Sequence, residues 1–195
     1  MNIIKNEVES EIKIKRSRFI ASVKPVTNID EAKEYINKIS KENNNANHNC
    51  WTYRIGEKGD VFHYSDNGEP SGTAGLPMFR ILQKYDLTNI VVVVTRYFGG
   101  IKLGIRGLME AYGESVDSAL KIAVIERLVK YEFRKISTSY HYSEILKYKL
   151  NQMGVVIENT EYAENVMFYL KFEREIGEVD LFLESLQSSG NITIE

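Results

Sequence analysis

The chain has 195 residues, 43% of them hydrophobic and 27% charged, with a formal net charge of −2. That balance excludes a disordered chain, a collagen and a disulfide-stapled mini-protein, and it confines any contact with nucleic acid to a local basic patch. Cys50 is the single cysteine, which excludes an intrachain disulfide and a zinc site built on two thiolates; with no apolar run near membrane-span length, the expectation is a soluble, cytoplasmic protein.

Glu11–Arg16 and Phe19–Val23 read as paired strands. Asn28-Ile29-Asp30-Glu31 resembles a capping box opening a helix with Ile29, Ala32, Ile36 and Ile39 on one face. After the polar loop Asn43–Asn45, Cys50–Ile55 and Val61–Tyr64 read as a hairpin across Glu57–Asp60. Ser65–Leu76 is a loop of small and turn-forming residues, followed by a short helix over Met78–Lys84. Ile90–Thr95 predicts a buried strand, because a run of four valines leaves no polar face. From Ile105 a helix follows, with Leu108, Tyr112, Val116, Leu120 and Ala123 spaced by three and four.

Composition changes near residue 125. All three prolines and 10 of the 13 glycines precede it; 17 basic and 15 acidic residues lie before it, against 8 and 12 after. The expected domains are therefore 1–125 and 126–195. In the second, Leu128–Ser139 reads as a strand and Ser143–Met153 as a helix, with Ser143 as N-cap and Gly154 as stop. Val155–Thr160 is a strand, and Val166, Phe168, Leu170 and Phe172 alternate with Met167, Tyr169 and Lys171 as another. Ile176, Val179, Phe182, Leu183 and Leu186 mark a second helix, ended by Ser188-Ser189-Gly190, and Ile192–Glu195 forms a last strand. The order βαββαβ is that of a ferredoxin-like domain, and the class expected for the whole chain is α+β.

Two segments stand apart from this pattern. Ser65-Asp66-Asn67-Gly68-Glu69-Pro70-Ser71-Gly72-Thr73-Ala74-Gly75-Leu76-Pro77 is rich in glycine and hydroxyls, a composition that can turn backbone amides outward as an anion nest. Thr95-Arg96-Tyr97-Phe98-Gly99-Gly100-Ile101-Lys102-Leu103-Gly104-Ile105-Arg106-Gly107 runs from the buried strand through a glycine loop into a helix, whose N-terminus attracts anions. Such loops also serve as plain tight turns. Gly99 and Gly104 have P-loop spacing, but Ile105-Arg106 follows where Lys-Ser or Lys-Thr is required, which argues against a nucleoside triphosphatase. Catalytic groups are sparse. His48, Cys50 and His63 offer a Cys–His pair with Asp66 or Glu69 to orient it, and His63, Asp66 and Glu69 offer a conceivable metal site. Only three histidines and no helical His pair leave no metal and no cofactor expected.

SDNGEPSGTAGLP at Ser65–Pro77 and VVVVTRYFGGIKLG at Val91–Gly104 resemble the signature of the YigZ/IMPACT family. KRSRFIA at Lys15–Ala21, HNCWTYRIG at His48–Gly56 and GLMEAYG at Gly107–Gly113 agree with it. Two places depart: Asn67 stands where an acidic residue is usual, and Ile105-Arg106 replaces a Thr-Gly pair. The resemblance implies an N-terminal α/β domain like the second domain of ribosomal protein S5. It also implies a ferredoxin-like C-terminal domain like the last domain of elongation factor G, as in bacterial two-domain members. Eukaryotic relatives act in translational control through an extra N-terminal domain, which is not in this sequence.

The expectation is a non-enzymatic RNA- or ribosome-binding protein with a role in translation regulation, with a protein partner in translation possible. Its surface would be Arg54, Arg96, Tyr97, Phe98, Lys102 and Arg106. The signature loops would supply anion-binding groups: Ser65, Asp66, Gly68, Glu69, Ser71, Gly72, Thr73 and Gly75, with Gly99, Gly100 and Gly104, their amides facing a shared cleft. The alternative is a small hydrolase or transferase in the pocket between 65–75 and 99–107, using His48, His63, Asp66, Glu69 and Ser71. A third reading is a protein-interaction adaptor using the open sheet of the C-terminal domain.

Overall fold

The computed structural model describes residues 1–174 and 177–195, and the chain divides into two compact units, Met1–Leu128 and Val129–Glu195. The first contains β1 (Asn2–Ile4), β2 (Val8–Ile14), β3 (Ser17–Pro25), α1 (Ile29–Glu42), β4 (His48–Ile55), β5 (Val61–Ser65), α2 (Gly75–Lys84), β6 (Ile90–Tyr97), α3 (Gly104–Leu120) and β7 (Ile125–Arg127). The expected break between 125 and 126 falls inside β7. That strand pairs antiparallel with β1, Ile4 opposite Ile125, so backbone hydrogen bonds hold residues 125–127 to the first unit.

β2-β3-β6-β4-β5 form one sheet in which every neighbouring pair is antiparallel. β6 is central, and its valines divide between two cores. Val92 and Val94 pack with Phe19, Cys50, Met78, Leu82, Leu108, Tyr112 and Val116 beneath α2 and α3. Val91 and Val93 pack with Ala32, Tyr35, Ile36 and Ile39 of α1. The strand carries no polar face because helices cover both sides of it. Asn28 caps α1 by accepting from the Glu31 backbone N–H at 2.9 Å, and the Glu31 carboxylate accepts from the Thr27 backbone N–H at 2.8 Å.

The second unit contains β8 (Tyr131–Thr138), α4 (Tyr140–Gln152), β9 (Val156–Tyr162), β10 (Val166–Glu173), α5 (Gly177–Ser188) and β11 (Ile192–Ile194). Its antiparallel sheet has the order β11-β8-β10-β9. The buried alternate residues of β10, Val166, Phe168, Leu170 and Phe172, pack against Leu146 and Leu150 of α4 and Val179, Leu183 and Leu186 of α5. This is the ferredoxin-like βαββαβ arrangement, and the chain is α+β. The N-cap of α4 is Ser139 and not Ser143: Ser139 accepts from the Tyr142 N–H at 3.3 Å, while the Ser143 hydroxyl donates to the Tyr140 carbonyl one turn back. Ile176, expected on the face of α5, lies outside the described residues. Among the described residues no helix is long and apolar enough to cross a membrane.

Candidate nucleic-acid interface

β6 ends at Tyr97, and residues 98–103 carry the chain over the end of the sheet into α3. The loop after β5 approaches from the other side. Between them lies a cleft of about 420 Å³, lined by Asn47, His48, Glu69, Pro70, Arg96, Phe98, Lys102, Leu103, Gly104, Ile105 and Leu108. Gly99 permits the close approach that shapes this end of the sheet. A Cβ there would lie 2.0 Å from the Arg16 carbonyl oxygen at the turn between β2 and β3.

The floor is a buried polar network. Arg96 and Glu69 have side chains 6% and 3% exposed, and Arg96 Nη1 donates to Glu69 Oε1 at 2.6 Å. The Tyr112 hydroxyl of α3 donates to the same oxygen at 2.8 Å. The Arg96 guanidinium lies between the rings of Phe19 and Phe98, 5.3 and 5.4 Å from their centroids. Its Nε is buried and has no hydrogen-bond partner. His48, opposite Arg96 in the β4–β6 register, has Nδ1 2.9 Å from the Asn67 carbonyl oxygen, which makes Nδ1 the protonated nitrogen and turns Nε2 toward Glu69, 3.9 Å away. Cys50 Sγ lies 2.9 Å from the Asp66 carbonyl oxygen and 3.3 Å from the Tyr112 hydroxyl. Burial pushes its thiol up to about 12, with Glu69 and Asp66 adding to the rise, so no thiolate is present for a Cys–His pair at neutral pH.

The anion nest expected of the Ser65–Gly75 loop is already filled from within. Asp66 accepts from the backbone N–H groups of Gly72 at 2.8 Å, Ala74 at 3.0 Å and Gly75 at 2.9 Å. A carboxylate in that position satisfies the free amides at the start of α2 and opposes the positive end of its dipole. Thr73 Oγ1 donates to the Pro70 carbonyl, and Ser65 Oγ accepts from the Asn67 N–H. These residues shape the loop, and of α3's first turn Gly104 and Ile105 line the cleft. Asn67, at φ +42°, accepts from the Asn49 N–H through Oδ1 at 2.8 Å. The left-handed backbone favours asparagine there.

The six residues expected to form one surface separate. Phe98 and Lys102 are exposed residues of the cleft lining, and Arg106, exposed just beyond that lining, pairs with Glu110 one turn along α3. Arg96 is the buried floor. Tyr97 alternates to the other face of β6, where its hydroxyl donates to Asn43 Oδ1 at 2.9 Å and Arg18 covers its ring. Arg54 leaves the group. It pairs with Ile90 at the far end of β6, six residues and about 20 Å from Arg96 along the strand, and its guanidinium donates to the carbonyls of Gly59 and Leu87. Sequence reasoning did not single out Tyr112; its only signal was a hydroxyl on the apolar face of α3. Of the enzyme candidates, His48 and Glu69 meet in the cleft and the other three do not join them. His63 accepts from the Tyr64 N–H and stacks edge-on with Trp51 and Tyr53, Asp66 caps α2, and Ser71 is exposed.

The arrangement defines a class: a two-unit α+β protein whose first unit closes a polar-floored cleft between two glycine-rich segments, followed by a ferredoxin-like unit. Residues 15–120 match the Impact N-terminal domain. The chain is 44% identical to the IMPACT family member YvyE of Bacillus subtilis over 85% of this chain and 76% of that one, and 33% identical to YigZ of Escherichia coli over 79% and 76%. A crystal structure described as that of a hypothetical protein aligns with a TM-score of 0.65 at 29% identity, covering 99% of this chain and 95% of the other. The chain belongs to the IMPACT family.

Proposed function

We propose that this protein is a non-enzymatic RNA- or ribosome-binding factor acting in translation, and that the mouth of the cleft is its contact surface. One observation carries the reading: Lys102, Arg106 and Phe98 are exposed together where a glycine loop enters α3, a helix with no acidic residue in its first turn and no side-chain cap. Two cations and an uncompensated helix N-terminus attract phosphate, and an exposed ring offers a face to a base. The acidic second unit opposes binding at long range, so attraction is local and strongly salt-dependent. The translational role of eukaryotic relatives, implied by the signature segments, supports the same assignment, and a cytoplasmic location is part of the proposal.

The test is affinity for single-stranded RNA, structured RNA and ribosomal subunits at two salt concentrations, with wild type and the double variant Lys102→Glu with Arg106→Glu. Each backbone contact by a basic side chain contributes about 0.7 to the slope of log affinity against log salt. The double variant is expected to bind more weakly with a slope shallower by about 1.4. Equal binding by both proteins refutes the surface, and no binding by either to any of the three targets refutes the function.

A further inference from the structure

We propose that the cleft receives a phosphomonoester, the terminal phosphate of an RNA strand, with Arg96 at its floor and the amides that open α3 at its wall. This rests on the RNA-binding reading above and names which part of the RNA enters. Arg96 is the first ground. Its side chain lines the cleft and is 6% exposed, yet Glu69 engages only Nη1, and Nε has no acceptor. A buried N–H without a partner is rare and costly in a folded protein, and a ligand oxygen would satisfy it.

The second ground is independent of the first. α3 runs for 17 residues, and its first turn has neither an acidic residue nor a side-chain cap. Gly104 and Ile105 of that turn line the same cleft as Arg96. Gly104, at φ +73°, has open space where a Cβ would stand, so no protein atom crowds that side of the residue. Lys102 adds a cation at the rim, with no carboxylate within ion-pair distance among the described residues. The charge on Glu69 is matched by Arg96, so Lys102 and the helix N-terminus leave a positive surplus.

The shape favours a chain end over an internal phosphate. The candidate donors belong to three elements, Arg96 to β6, Lys102 to the loop and Gly104 and Ile105 to α3, which suits the three free oxygens of a monoester better than the two of a diester. Phe98 stands at the rim, 42% exposed, with Arg96 over its ring, and it can stack on the terminal base.

The experiment uses the full chain and one short RNA in three forms: 5′-phosphate, 3′-phosphate, and hydroxyl at both ends. Adenosine monophosphate serves as competitor. At least one phosphorylated end is expected to bind roughly tenfold more tightly than the hydroxyl form. Ile105→Glu places a carboxylate in the first turn of α3, where it favours the helix, at a residue 68% exposed; it is expected to erase that preference. Ile105→Gln is expected to keep it. Arg106→Glu, outside the cleft, is expected to weaken all three forms alike.

Equal affinity for the three forms overturns the inference and leaves the RNA-binding reading standing, whereas no affinity for any of them overturns both. A preference that survives Ile105→Glu removes the cleft as its source. Adenosine monophosphate that displaces the RNA at a concentration near the RNA's own Kd overturns the RNA end as occupant in favour of a free mononucleotide.

Discussion

Replacing Glu69 by alanine removes the counter-charge of a guanidinium whose side chain is 6% exposed. An exposed ion pair at the same distance would contribute no more than about 1 kcal/mol. Here the Glu69 carboxylate is 3% exposed and receives both Arg96 at 2.6 Å and Tyr112 at 2.8 Å. Losing it strands a buried cation, which costs about 3–5 kcal/mol, and takes the Tyr112 hydroxyl's acceptor as well. Against a stability of roughly 5–15 kcal/mol for a domain, that is a large fraction. Arg96→Met in the Glu69→Ala background removes the stranded charge, so the double variant is expected to be more stable than Glu69→Ala alone. Urea unfolding followed by Trp51 fluorescence reads this cleanly, because Trp51 is the chain's one tryptophan and lies in β4 of the first unit. A loss below about 1 kcal/mol for Glu69→Ala, or a cycle additive within about 0.5 kcal/mol, refutes the argument.

Asp66→Ala takes the acceptor from three backbone amides at the start of α2, so a loss of about 2 kcal/mol is expected by the same urea assay; an unchanged midpoint contradicts the capping role. Cys50 is buried with its thiol raised to about 12, so at pH 8 an aromatic disulfide reagent should leave the native chain unmodified and react at once in urea. Rapid stoichiometric labelling of the native chain would contradict that environment. The hydrogen bond from Lys121, with further ones from Lys84 and Tyr85, holds the Asp117 carboxyl below its ordinary value. A folded-state value below the unfolded one contributes stability that is fully present above the unfolded pKa and is lost as pH falls through the folded one. The stability gap between wild type and Asp117→Asn should therefore be flat from about pH 7 to 5 and close below about pH 4. A gap undiminished at about pH 2 would show that the charge of Asp117 is not what stabilises.

Contiguous residues were enough to indicate several elements. The valines of β6, the Asn28–Glu31 cap and the strict alternation of 166–172 each carry their structure in a local period or hydrogen bond, so they read directly from the sequence. The two glycine-rich segments were also legible, because turn chemistry is local. What those segments do was not. Asp66 and Glu69 stand three residues apart in one loop, yet one turns back to cap α2 and the other turns under the cleft to meet Arg96. Arg54 and Arg96 were expected on one basic surface, and only the register of β4 on β6 puts them at opposite ends of the strand pair. β1 and β7, three residues each, pair residues 125 apart in the chain at Asn2 and Arg127, and no local pattern announces so short a partnership. A period, a cap or a turn is a property of neighbouring residues. Which carboxylate meets which guanidinium depends on contacts that exist only once strands are in register and the helices have packed across them.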